Sequence, residues 1–164
     1  MKKTLTVRQV CVCAIAAALY ASITILTTPL SYGLVNFRLS EALVVLCAFE
    51  PVLGIGFTIG CFLANVFSTV TALDMVIGTL ATALACLWTG HCKKAVFAAI
   101  PNVAVNTLLV GGMLAYVLFP DNLTMGFLIA ALQVFFGELA VMGALGIPLF
   151  LFEQKRGLVR KIMR

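Results

Sequence analysis

Charge interrupts this chain rarely, and the intervals between charges are long. Residues 9–37, 51–73, 75–90 and 95–120 carry no Lys, Arg, Asp or Glu, and 122–152 carries only Glu138. An α-helix rises about 1.5 Å per residue and a hydrocarbon core is about 30 Å thick, so about 20 apolar residues span it. Five of these segments are long enough. A shorter apolar piece, 42–49, lies between Arg38 and Glu50 and is a sixth, tilted or half-buried helix. Turn chemistry marks the same cuts: Pro29 with Ser31 and Gly33, Glu50-Pro51, Gly90 before His91, and Pro120-Asp121-Asn122. The pattern predicts helices over 9–28, 39–50, 52–70, 74–90, 95–118 and 124–152, in one bundle that makes residues 1–164 a single membrane domain.

Composition makes lipid the solvent of this bundle. Apolar residues are 63% of the chain and charged residues 10%, where a soluble domain has about 25% charged. That leaves too little polar side chain to cover a water-soluble particle. The net charge of +5 is not a nucleic-acid footprint, because the cations cluster at the ends of apolar runs. Lys2, Lys3 and Arg8 open the chain, Lys93 and Lys94 stand in the middle, and Lys155, Arg156, Arg160, Lys161 and Arg164 close it; only Arg38 stands apart. With six crossings, both termini and ten of the eleven cations share the cytoplasmic side. With five, one basic end would have to be translocated. The expected architecture is therefore an all-α integral membrane protein with six transmembrane helices, cytoplasmic N and C termini and a short second helix, in the cell membrane.

Several local features have plain explanations. MKKTLTVR before an apolar run resembles a signal peptide, but no small-x-small cleavage site closes a short apolar stretch, so a retained helix is expected. Cys11, Cys13, Cys47, Cys61, Cys86 and Cys92 have no metal-ligand spacing and act as small packing residues. His91 is the only histidine, too little for a metal site or for acid–base chemistry. Gly54, Gly56 and Gly60 have the wrong spacing for a dinucleotide fingerprint; Gly56 and Gly60, four apart, suit close helix packing. Asn122-Leu123-Thr124 fits a glycosylation sequon but carries no functional weight. The chain has no phosphate-binding G-x-x-x-x-G-K-[ST] loop, so it does not hydrolyse ATP by itself. No cofactor or metal is expected.

The polar groups at membrane depth do require explanation, because a charge at the bilayer centre costs about 2.5–3.5 kcal/mol on insertion scales and marks a functional site by default. Glu41 lies about one turn inside the second helix, Asn65 in the outer third of the third, and Asp74 at the outer end of the fourth with Thr79 and Thr82 below it. Asn102 lies in the inner half of the fifth helix and Asn106 near its middle. Gln133 is a few turns down the sixth, and Glu138 is near mid-depth. Arg38, Glu41, Asn65, Asp74, Asn106, Gln133 and Glu138 thus come from five helices and fall mostly in the outer half, the layout of a cavity open to the outside. Arg38 could equally pair with Glu41 or Asp74 to hold loops together. On the first helix, Ala14, Ala18 and Ser22 recur every four residues beside Ala17 and Ala21, a stripe that lets another helix approach closely.

Three stretches carry a family resemblance. Phe37-Arg38-Leu39-Ser40-Glu41-Ala42-Leu43, Ile59-Gly60-Cys61-Phe62-Leu63-Ala64-Asn65 and Leu73-Asp74-Met75-Val76-Ile77-Gly78-Thr79-Leu80-Ala81-Thr82 resemble motifs of the QueT family. Pro101-Asn102 through Asn106 and Gly137-Glu138-Leu139 extend the likeness over nearly the whole chain after the first helix. The resemblance implies a six-helix S component of an energy-coupling factor importer for queuosine precursors. Such a subunit captures a small molecule outside, while a coupling membrane subunit and two ATPase subunits supply the energy. It also implies that the Ala14, Ala17, Ala18, Ala21 stripe is the docking face for the coupling subunit, and that the ligand is a 7-deazaguanine base or queuine.

The chemistry is compatible with that ligand. A deazaguanine presents N1–H beside an exocyclic amine, and one carboxylate accepts both bonds; Glu41, Asp74 and Glu138 are the candidates. Asn65, Asn106 or Arg38 would donate to the ring oxygen, and Phe37 or Tyr32 would stack on the ring. The rival classes are an S component for another vitamin or nucleobase, a structural subunit of a membrane complex, and, least supported, a membrane enzyme.

Overall fold

The computed structural model describes residues 5–28, 37–67 and 72–163. Helix α1, Val7–Leu26, starts at a capping box: the Thr6 hydroxyl accepts from the Gln9 N–H and the Gln9 side chain accepts from the Thr6 N–H. Next comes a 3-10 helix, Leu39–Ala48, and then α2, Leu53–Asn65, α3, Leu73–Thr89, and α4, Ala95–Leu118. Helix α5, Leu123–Val141, runs through a π-helical turn, Met142–Gly146, into α6, Ile147–Arg156. A two-turn helix, α7, Leu158–Met163, ends the described chain. The described residues form no strand.

Each long helix packs chiefly on its neighbours in sequence: α1 on α2, α2 on α3, α3 on α4, and α4 on α5. The 3-10 helix runs through the middle and touches all of α1 to α6. Ser40, Glu41, Ala42, Val44, Val45 and Cys47 are buried along it, so packing on nearly every side holds a geometry that is uncommon beyond about 3–4 residues. Its rise of about 2.0 Å per residue stretches ten residues over about 20 Å, where an α-helix would cover about 15 Å. The short second helix of the sequence is thus a stretched one.

Among the described residues, three helices are long and apolar enough to cross a membrane: Val7–Leu26, Ala95–Leu118 and the continuous Leu123–Arg156. Leu39–Ala48, Leu53–Asn65 and Leu73–Thr89 are shorter apolar helices. Large apolar side chains such as Leu26, Leu63, Leu87, Phe97, Leu108 and Phe136 cover the outside, an arrangement water would penalise and lipid does not.

Two boundaries differ from the sequence expectation for identifiable reasons. The helix expected over 52–70 ends at Asn65, whose side-chain amide donates to the Asp74 carbonyl and ties the chain down there. The helix expected over 124–152 is interrupted at Met142–Gly146 because Pro148, early in α6, has no N–H to give to the preceding turn, and a wider π turn absorbs the defect. Between α1 and α2 the backbones meet closely. A Cβ on Gly56 would collide with the Cys13 carbonyl, and one on Gly60 would lie 2.6 Å from the Ala17 carbonyl, so these two glycines do the small-residue packing their spacing suggests.

Candidate functional site

A chain of buried polar contacts crosses the bundle from α1 to α3. The Tyr20 hydroxyl on α1 donates to Glu41 Oε1 at 2.5 Å, and the Thr82 hydroxyl on α3 donates to the same oxygen at 2.9 Å. Thr82 Oγ1 also lies 3.2 Å from Cys61 Sγ on α2, and the Asn65 amide donates to that sulfur at 3.4 Å. Asn65 Oδ1 accepts from Arg38 Nη2 at 2.9 Å, and the same nitrogen donates to Asp74 Oδ1 at 3.0 Å. Beside Glu41, the hydroxyls of Thr24 on α1 and Ser40 share a hydrogen bond of 2.6 Å. All of these side chains are buried. Charges removed from water must be compensated nearby, and here the Arg38 guanidinium is matched by the Asp74 carboxylate.

The turn geometry of the helices explains how these groups meet. Tyr20 and Thr24 are four apart on one face of α1; Gly78 and Thr82 are four apart on α3, with Asp74 one turn earlier. Gly78 makes the room. A Cβ there would lie 2.7 Å from Asn65 Nδ2 and 3.1 Å from both Arg38 Nη1 and Asp74 Oδ1.

A second cluster joins α4 to α5. Asn102 Nδ2 donates to Glu138 Oε2 at 2.8 Å and Asn106 Nδ2 donates to Glu138 Oε1 at 3.2 Å. Asn102 and Asn106 are one turn apart, so one carboxylate can take both amides. Glu138 is 2% exposed and lies within electrostatic reach of Glu41 and Arg38, so the two clusters face the same interior. Both amides turn their nitrogen toward Glu138 and their oxygen away from it. Among the described residues, Asn102 Oδ1, Asn106 Oδ1 and Glu41 Oε2 are buried and accept no hydrogen bond.

The family profile that matches this chain is described as the QueT transporter and covers residues 10–155. The chain belongs to the QueT transporter family. A Lactococcus lactis subsp. cremoris (strain MG1363) protein described as "Queuosine precursor transporter QueT" is 41% identical over 86 residues, half of this chain and 48% of that protein. The chain thus spans about half the length of the curated relative it matches. No solved structure matches it. The family's transport role and the apolar helices make this a membrane protein, and both polar clusters lie inside the QueT-matched stretch.

Of the sequence candidates in this QueT chain, Arg38, Glu41, Asn65 and Asp74 come together in one network, and Asn106 and Glu138 in the other. Gln133 does not join them. It is half-buried and five residues before Glu138, which places it about 140° around α5 from that carboxylate. Phe37 is half-buried next to Arg38, and Tyr32 lies outside the described residues. The alanine stripe divides. Ala17 and Ala21 are buried in the bundle, with Ala17 against Gly60, whereas Ala14 and Ala18 are exposed. Together with Val10, Ile55, Ile59 and Leu63, Ala14, Ala17 and Ala18 line a groove of about 400 Å³ on the outside of the α1–α2 pair.

Tyr20, Ser40, Cys61 and Thr82 belong to the centre without having been singled out as site residues, as does Asn102. Asn102 had a usable signal in its four-residue spacing from Asn106, and Thr82 in its spacing from Gly78 and Asp74. A tyrosine and a cysteine inside apolar runs look like packing.

Proposed function

We propose that this chain is the substrate-capture subunit of an energy-coupling factor importer and that it binds a 7-deazaguanine queuosine precursor at the polar centre between the 3-10 helix, α3, α4 and α5. The observation that carries this is the set of open acceptors, Glu41 Oε2, Asn102 Oδ1 and Asn106 Oδ1, on two elements of the buried interior. An unsatisfied buried acceptor costs about 1–3 kcal/mol, and a ligand edge rich in N–H groups removes that cost. Ring N1–H and the exocyclic amine of a deazaguanine form such an edge. Glu41, with one oxygen held by Tyr20 and Thr82 and the other open, is the carboxylate that reads it. Glu138 stands behind the two asparagines and fixes which way their amides face. Arg38, Asn65 and Asp74 frame the other end. The name of the Lactococcus relative favours a queuosine precursor over other purine-like ligands.

In this reading the chain crosses the cell membrane six times, with both termini and ten of its eleven cations on the cytoplasmic side. The centre then takes ligand from outside. The exposed groove at Ala14 and Ala18 receives the coupling subunit, and two ATPase subunits supply the energy that this chain has no phosphate loop to harvest.

Calorimetric titration of the detergent-purified chain with 7-deazaguanines, queuine and guanine tests the proposal. Saturable binding of at least one deazaguanine, at one site per chain, is expected. Binding of none of them, or equal binding of unrelated vitamins, overturns it.

A further inference from the structure

At the opposite end of the bundle from Arg38, where α3 stops and α4 begins, the chain builds a second pocket that the transport reading does not use. It has a volume of about 560 Å³ and lies between the Gly90–Lys93 turn, the end of the 3-10 helix and the last turns of α6 and α7. One side is cationic or polar: His91, Lys93, Gln154 and Arg160. The other is apolar, formed by Phe49 and Phe150, whose rings sit 4.6 Å apart.

Arg160 is placed there by a dedicated arrangement. Gly157, with a left-handed φ of 61°, reverses the chain after α6. The Glu153 carboxylate, 2% exposed, then accepts from the backbone N–H groups of Leu158 and Val159 at 3.1 and 2.9 Å and caps α7. From α7 the Arg160 guanidinium reaches over the Phe49 ring, 5.6 Å from its centroid. Both Glu153 oxygens are used in capping, and neither Lys93 nor Arg160 has a carboxylate within ion-pair distance among the described residues. The His91 Nδ1 is held by the Leu87 carbonyl at 2.9 Å, which leaves its other nitrogen free.

We propose that this pocket holds the phosphate headgroup of an anionic phospholipid. Two cations without a carboxylate partner beside an aromatic floor suit an amphiphile, whose phosphate meets Lys93 and Arg160 while its glycerol and first methylenes lie on Phe49 and Phe150. The position agrees. Trp88, 51% exposed, stands one turn away, and tryptophan at such a boundary marks the level of the headgroups. The pocket shares no residue with the buried polar centre, so this site does not depend on the transport reading.

The test uses the full chain in phosphatidylcholine nanodiscs containing a minor fraction of phosphatidylglycerol, with native mass spectrometry counting the phosphatidylglycerol that stays bound. A charge-assisted hydrogen bond to phosphate contributes about 1.5–3 kcal/mol, against about 0–1 kcal/mol for a solvated surface ion pair, so Lys93→Ala with Arg160→Ala should weaken retention at least thirtyfold. Lys155→Ala with Lys161→Ala removes the same charge outside the pocket and should change retention by no more than a few-fold. Thermal unfolding in phosphatidylcholine alone checks that each variant is folded; if the pocket pair is not, Arg160→Gln alone should weaken retention at least fivefold. Equal loss in both pairs, or full retention by the pocket variants, overturns the proposal. Displacement of the lipid by millimolar inorganic phosphate also overturns it, in favour of a soluble phosphate ligand.

Discussion

Replacing Glu138 by Gln changes one atom and no volume, yet it reaches the centre of the proposed binding site. In the native arrangement two amide nitrogens, from Asn102 and Asn106, each face one carboxylate oxygen, at 2.8 and 3.2 Å. A glutamine offers one oxygen and one NH2 group, so one asparagine nitrogen would then face another donor. That asparagine must turn over, which converts one of the two open acceptors, Asn102 Oδ1 or Asn106 Oδ1, into a donor pointed at a ligand edge that also donates. A buried group left without its hydrogen-bond partner costs about 1–3 kcal/mol, which corresponds to roughly fivefold to 150-fold in affinity for the correct ligand. Calorimetry on the purified variant with the deazaguanine that binds best to the native chain reads this directly. Unfolding without ligand should shift little, since one amide–amide bond replaces one amide–carboxyl bond and the volume is unchanged. An affinity within about threefold of native would refute the role of Glu138 in setting the amides. A large loss of unfolding temperature with unchanged affinity would assign Glu138 to structure alone.

The remaining predictions address the two other features of the site. Ala18→Leu fills the exposed α1 groove from outside the bundle, so uptake and co-purification with the proposed coupling subunit should be lost while ligand affinity stays native; loss of binding would make the stripe ordinary bundle packing. Gly78→Ala places a Cβ 2.7 Å from Asn65 Nδ2 in a network with no slack, and overpacking of this kind costs about 1–3 kcal/mol. Its unfolding temperature in detergent should fall by several degrees, and an unchanged value would show that the Arg38–Asn65–Asp74 cluster can move aside.

The fold was legible where the physics is one-dimensional. Long uncharged intervals located α1, α4 and the α5–α6 rod, because apolar length is a property of the sequence itself. The 3-10 geometry of Leu39–Ala48 was not legible. Its residues would serve equally in a short α-helix, and the choice is made by six surrounding helical segments that fix how far ten residues must reach. The end of α2 at Asn65 was hidden for a related reason: what stops it is a bond to Asp74, nine residues on. The π turn was foreshadowed only by Pro148, and a proline in a membrane helix has several possible accommodations.

The polar centre divides in the same way, and α1 shows why. Scarce polar residues in a lipid-facing composition stand out, so Arg38, Glu41, Asn65, Asp74, Asn106 and Glu138 could be picked out one at a time by the cost of burying them. Which would pair could not, because Arg38 has two carboxylates at plausible distances and only the Gly78 opening selects Asp74. On α1 the pattern Ala14, Ala18, Ser22 was visible as an absence of side chain, while Tyr20, the residue that ties this helix to Glu41, passed as packing. Tyr20 lies two positions after Ala18 and so about 160° away from it around the helix. The exposed groove residues Ala14 and Ala18 therefore lie about 120–160° around α1 from the hydroxyl that holds Glu41, with the buried Ala17 between. The predicted helix already carried both, but only the folded chain shows Tyr20 at work, since the small-residue stripe announces itself by its period and an aromatic hydroxyl in an apolar run does not.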